Sequence, residues 1–313
     1  MGRQPTALIA PATSTVPRST PPVSSEGSTC RTVGVALALS AGDVVLSVSV
    51  FILSVGQDMA PFEPSILSRP GSVTIAYYHR EGKLPGVIFC TGFKSDMSGG
   101  KALALEEWCK REGRQFTRFD YQGHGASSGR FEDGTIGKWR DDALAILDKV
   151  TIGRQIVVGS SMGGWIACLM AIARKERIAA IVGIAPAIDF TQKLLWPRLD
   201  AAARRQIEEE GVWYRPSAYG DGPYPITKKL IDEGKKHLLL PGPIPFSGPV
   251  RIIHGMRDDA VPWEHSLRLA EAMMSTDIEI ILVKDGEHRL SRDSDLSRLI
   301  ATVSEQADTR EGR

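Results

Sequence analysis

The chain has 313 residues, 42% hydrophobic and 24% charged, an ordinary globular composition with room for one large α/β domain or two small ones. With 38 basic against 37 acidic residues and no basic run, nothing in its charge attracts nucleic acid. Four cysteines (Cys30, Cys90, Cys109 and Cys168) stand far apart, with no spacing suited to a structural metal, and read as reduced, packed thiols.

Residues 1–25 contain no Asp or Glu but carry Arg3 and Arg18 among many Ser, Thr and Pro, as an organelle transit peptide does. The apolar run 33–55 is long enough to cross a bilayer, yet Asp43 lies within it, and a mid-membrane carboxylate costs about 2.5–3.5 kcal/mol. Residues 1–62 therefore read first as a cleaved organelle-targeting leader. A membrane anchor through 33–55 and an incidental extension of a cytoplasmic protein are the alternatives. The domain proper is expected over 63–313.

From Val73 the chain alternates short β-rich runs with longer helical patterns. Strands are expected at 73–80, 86–92, 115–121, 154–159, 178–188, 250–255 and 278–283. Helices are expected at 101–113, 137–150, 162–176 and 263–274, the first ending at Gly113. Strands that are apolar throughout, with helices between them, indicate a mostly parallel, doubly wound α/β sheet. Residues 190–246 break the alternation, with helical runs at 199–210 and 226–238 and no clear strand. An insertion this long is expected to be a lid, and its Trp196, Trp213 and Tyr214 are candidates for roofing a substrate.

Two stretches fit G-x-S-x-G, "GASSG" at 125–129 and "GSSMG" at 159–163. The bare pattern is weak; the chemistry also requires the serine to sit between a strand end and a helix start, where its hydroxyl projects above the sheet. Ser161 meets this requirement. Ser127 is followed by loop-like "RFEDGT" and reads as part of a glycine-rich turn.

A serine hydroxyl needs a base, and the base needs an orienting acid, in the chain order Ser, acid, His. His288 follows the last strand in the polar loop "VKDGEHRLS" and is the expected base. His265 lies inside a helical pattern, and His254 precedes the acids of its own region. Asp258 is the preferred acid from the spacing in "HGMRDDAVP", with Asp259 and Asp189 as alternatives. The Met162 and Phe93 N–H groups are the expected oxyanion donors. No metal or cofactor is required.

The segments "GVIFCTGFKSDMSGGKALALEEWC", "RFDYQGHGASSG", "GKWRDD", "VGSSMGGW", "HGMRDDAVPW" and "LVKDGEHRLS" resemble the mitochondrial palmitoyl-protein thioesterases of the α/β-hydrolase-domain proteins and their bacterial homologues. The resemblance covers about residues 73–300 and implies an α/β-hydrolase fold with Ser161, Asp258 and His288 as the triad. It also implies hydrolysis of S-palmitoyl groups on protein cysteines and of acyl glucuronides, and a mitochondrial location. The expected partner is thus an S-acylated protein or a small acyl ester, and not nucleic acid. A general carboxylesterase and a non-catalytic binding protein are the competing readings.

Overall fold

The computed structural model describes residues 63–216 and 222–309. The expected leader and the apolar run 33–55 lie outside the described residues. Among the described residues no helix is long and apolar enough to cross a membrane.

Among the described residues ten strands and seven α-helices succeed one another as β1 (Ser65–Arg69), β2 (Val73–Arg80), β3 (Lys83–Cys90), α1 (Gly100–Arg111), β4 (Arg114–Phe119), α2 (Ile136–Lys149), β5 (Gln155–Ser160), α3 (Met162–Ala173), β6 (Ile178–Ile184), α4 (Ala201–Glu210), β7 (Val212–Arg215), β8 (Tyr224–Thr227), α5 (Lys228–Gly234), β9 (Val250–Gly255), α6 (Glu264–Ala272), β10 (Ile278–Val283) and α7 (Asp293–Asp308). Eight strands form one sheet in the order β1-β2-β4-β3-β5-β6-β9-β10. The pairs from β4 through to β10 are parallel, and only β2, near one edge, runs against the others, pairing antiparallel with both β1 and β4. The expected mostly parallel, doubly wound sheet is present.

Side chains on the central strands divide with period two between the faces. Val87 and Phe89 of β3 and Ile156 and Val158 of β5 join Ala102, Leu105, Trp108 and Cys109 of α1, and Leu299, Val303 and Ala307 of α7. Ile88, Cys90 and Val157 join the apolar sides of α2 and α3 on the other face. All seven of these strand residues are at most 3% exposed, so the sheet is covered on both faces, as a parallel sheet requires. The described cysteines are free and buried, and burial pushes the Cys90, Cys109 and Cys168 thiols up to about 12, which makes them packing groups.

Three elements depart from expectation. Strand β1 was not anticipated: it is a five-residue edge strand, only partly buried, and leads directly into Pro70 and Gly71. Helix α7 carries its buried Leu299, Val303 and Ala307 four residues apart, a helical stripe visible in the sequence itself. The insertion is not free of strands either. Residues 212–215 and 224–227 pair antiparallel as β7 and β8, so the expected helical run from 226 begins only at Lys228, capped by the Thr227 hydroxyl. Pro225 and the aromatic residues concealed this short hairpin from a reading based on alternation.

Candidate active site

The chain leaves β5 at Ser160 and enters α3 at Met162, leaving one residue for the reversal. That residue, Ser161, has φ 54 and ψ −118, a strained conformation for a side chain with a Cβ, worth about 1–3 kcal/mol. Surrounding bonds hold it there. Its N–H donates to Ile184 O at 2.9 Å, and its carbonyl accepts from Gly164 N at 2.9 Å and Ala187 N at 3.0 Å. The neighbouring glycines are a packing requirement. A Cβ on Gly159 would lie 2.3 Å from Gly163 O, and one on Gly163 would lie 2.1 Å from Cys90 O.

This gives a direct expectation for stability. Gly163→Ala meets rigid backbone and is expected to cost at least about 2–3 kcal/mol, read as a lowered urea midpoint. Gly100→Ala, where a Cβ meets nothing within 4 Å, is the control and should be neutral.

His288 lies on the loop after β10 and Asp258 on the loop after β9. The structure brings both to Ser161. His288 Nε2 is 3.1 Å from Ser161 Oγ, and His288 Nδ1 is 2.7 Å from Asp258 Oδ2. A carboxylate can only accept, so Nδ1 carries the hydrogen and Nε2 is left to accept from the serine hydroxyl. The Asp258 side chain is fully buried, and its Oδ1 accepts from Ala260 N at 2.9 Å and Val261 N at 2.7 Å. Burial alone would raise its pKa, but hydrogen bonds from His254 and His288 outweigh burial and hold the carboxyl well below the usual range.

His254, set aside in the sequence reading, stands behind this carboxylate. Its Nε2 is 2.9 Å from Val261 O and 3.2 Å from Asp258 Oδ2, and its Nδ1 is 2.6 Å from Ser266 Oγ. The i,i+4 separation of His254 and Asp258 across a strand end was the available signal. Lys101 is a second such residue. Its ammonium donates to Arg289 O and so tethers the loop that carries His288 to α1. Burial, with the nearby Arg289 charge, brings this amine down to about 8.

The alternatives fall elsewhere. Asp259 is exposed at the rim of the cleft. Asp189 is fully buried, and its carboxylate accepts from Leu239 N at 2.8 Å and Leu240 N at 2.9 Å, joining the two ends of the insertion. His265 is a packed residue whose Nε2 donates to Ile188 O at 2.7 Å. Ser127 Oγ is committed to structure, accepting from Ala76 N and donating to Asp120 O.

A cleft of about 380 Å³ opens over Ser161, and Phe93, Met162 and His288 also line it. Its apolar wall comes from Phe190, Leu194, Leu195, Tyr224 and Ile226, all in the insertion. Trp196, Trp213 and Tyr214 are not among the lining residues. Trp196 and Trp213 pack within the insertion's own cluster beside Leu199, Ala203 and Ile207, and Tyr214 is 51% exposed. The aromatic side chains of the insertion thus serve mainly its own small core, and Phe190 and Tyr224 face the cleft. Among the described residues no group of three His, Cys, Asp or Glu side chains is arranged to hold a metal ion.

The family model for serine aminopeptidases, S33, matches residues 86–221. The chain is 45% identical to the palmitoyl-protein thioesterase ABHD10, mitochondrial, of Bos taurus, covering 78% of this chain and 80% of that protein. The chain belongs to the ABHD10 family of α/β-hydrolases. Among solved structures it is similar to mouse α/β hydrolase domain-containing protein 10, with a TM-score of 0.72 and 44% identity over 77% of this chain and 97% of that one. It is also similar to a putative hydrolase from Agrobacterium vitis S4, with a TM-score of 0.75 and 37% identity over 79% of this chain and all of the other. ABHD10 relatives and the bacterial hydrolase thus share one scaffold with this chain.

Proposed function

We propose that this chain hydrolyses acyl thioesters, with S-palmitoyl groups on protein cysteines as the main substrate class and acyl glucuronides as an ester class. The observation that carries the reading is the continuous chain of contacts from Ser161 Oγ through His288 to Asp258, 3.1 and 2.7 Å long. The likeness to ABHD10 relatives supports the thioester preference and a mitochondrial location, and the acid-free, Arg-containing residues 1–25 support the location alone.

Ser161 Oγ attacks the acyl carbonyl as His288 Nε2 takes its proton. The carbonyl π pair moves onto oxygen, where the Phe93 and Met162 N–H groups receive it. Asp258 stabilises the imidazolium without taking its proton. Collapse of the tetrahedral centre expels the thiolate, protonated by His288, and leaves an acyl-Ser161 ester. Water, deprotonated by the same histidine, releases the acid. The apolar wall from the insertion accommodates the acyl chain.

The test compares kcat/KM for an S-palmitoyl cysteine peptide and its matched O-palmitoyl serine peptide. The thioester is expected to be favoured at least about tenfold, equivalent to about 1.4 kcal/mol of transition-state discrimination. Equal or better turnover of the oxygen ester would assign the chain to general carboxylesterases.

A further inference from the structure

The segment "FDYQGHGASSG" contains the second G-x-S-x-G pattern, which the proposed chemistry leaves unused. Its fold is tightly specified. Asp120 accepts from Met97 N at 2.7 Å and Ala126 N at 2.8 Å, and the Ser128 hydroxyl accepts from Thr74 N at 2.8 Å. Gly123 and Gly125 have φ of 77 and 45, and a Cβ on Gly125 would lie 2.0 Å from the Asp120 carboxylate. This effort holds His124 between the two glycines with its ring turned inward.

His124 is 4% exposed and packs against the rings of Tyr121, Phe131 and Trp139 at centroid distances of 5.0–5.7 Å. Its Nδ1 lies 3.4 Å from Gln122 O, and its Nε2 lies 3.3 Å from Lys94 N. A carbonyl can only accept and an amide N–H can only donate. The ring is therefore the neutral Nδ1–H tautomer, with Nε2 accepting from Lys94. Burial keeps it neutral by bringing it down to about 4.

Lys94 is itself unusual, with φ 61. It directly follows Phe93, and the turn lies against the nucleophile: a Cβ on Gly92 would be 3.5 Å from Ser161 Cβ. The strained 93–94 peptide needs a reason to hold its orientation, and the buried acceptor on His124 supplies one. We infer that His124 is a positioning residue that fixes the turn at residues 92–94, and with it the direction of the Phe93 N–H toward the developing oxyanion. The inference rests on the serine-hydrolase reading above.

The test uses the full chain with His124→Gln and His124→Met, two side chains of similar length of which only glutamine offers an acceptor where Nε2 stands. His124→Met is expected to lose kcat about 10- to 100-fold with KM changed less than about threefold. That is a smaller loss than the 10²–10³ from deleting an oxyanion donor outright. His124→Gln should recover most of it.

A second readout is the affinity for a trifluoromethyl ketone, whose adduct with Ser161 places an oxyanion in the same donors. It should fall by the same factor as kcat in the Met variant, while affinity for the product fatty acid stays put. If the two variants are equally active, or if only the melting temperature moves, His124 is a packing residue and the inference fails. Ser161→Ala runs alongside: turnover surviving in that variant refutes the nucleophile reading itself, whereas an inactive Ser161→Ala with a flat His124 series refutes only this inference.

Discussion

Ser161→Ala is expected to abolish covalent labelling by a fluorophosphonate and to lower kcat by about 10⁵–10⁶-fold. Ser161 is the side chain at the apex of the β5–α3 turn, and His288 Nε2 lies 3.1 Å from its oxygen. The other serine in a matching sequence pattern, Ser127, is engaged at 2.6 Å to Asp120 O and 2.8 Å to Ala76 N. Since Ala keeps the Cβ and adds no bulk, the backbone strain at φ 54 is unchanged and the variant should fold as the parent does. Labelling that persists in it would overturn the assignment. The measurement is in-gel fluorescence together with single-turnover kinetics.

Asp258→Asn is expected to lower kcat by about 10⁴-fold, with little change in KM. The amide keeps the shape and an acceptor for Ala260 and Val261, but it can turn an NH2 toward His288 Nδ1. The ring then protonates at Nε2 and can no longer accept from Ser161. Hydrogen bonds from His254 and His288 depress the Asp258 pKa against the opposing effect of burial, so the parent keeps this carboxylate ionised at any working pH. The same bonds to the ionised carboxylate also stabilise the fold. The contribution is present above about pH 4, the range of an unfolded Asp, and is lost as the pH falls through the lower folded value. Asp259→Asn, at the exposed rim, is expected to leave kcat within about threefold. Steady-state kinetics of the two variants decide between the adjacent carboxylates; a large loss in Asp259→Asn and a small one in Asp258→Asn would reverse their roles.

Much of this was legible in the sequence, for identifiable reasons. Strands β3, β5, β6 and β9 are buried on both faces, so their apolar runs stand out. The turn at Ser161 announces itself because close packing leaves room only for glycines around it. The position of His288 follows from its loop after the last strand. What stayed hidden depends on contacts between distant segments. Nothing in the order of residues shows that Lys101 reaches the Arg289 carbonyl, or that His124 faces Lys94. The insertion misled for a different reason: its aromatic residues were natural candidates for a substrate roof, but a small subdomain also needs a core. Trp196 and Trp213 satisfy that need, and the apolar Leu194, Leu195 and Ile226 do more of the facing toward the cleft.

The carboxylate of Asp189 has a consequence for how such enzymes can diversify. It sits where the chain leaves the sheet for the insertion and binds the amides of Leu239 and Leu240, where the chain returns. The two feet of the excursion are therefore clasped independently of what lies between them. Residues 190–238 can lengthen, shorten or be exchanged with those of a relative while the clasp still presents the same entry and exit points to β6 and β9. The clasp thus lies apart from the insertion residues Phe190, Leu194, Leu195, Tyr224 and Ile226 that line the cleft. Grafted insertions that keep Asp189 and the 239–240 amides offer a route to new acyl specificities on an unaltered catalytic frame.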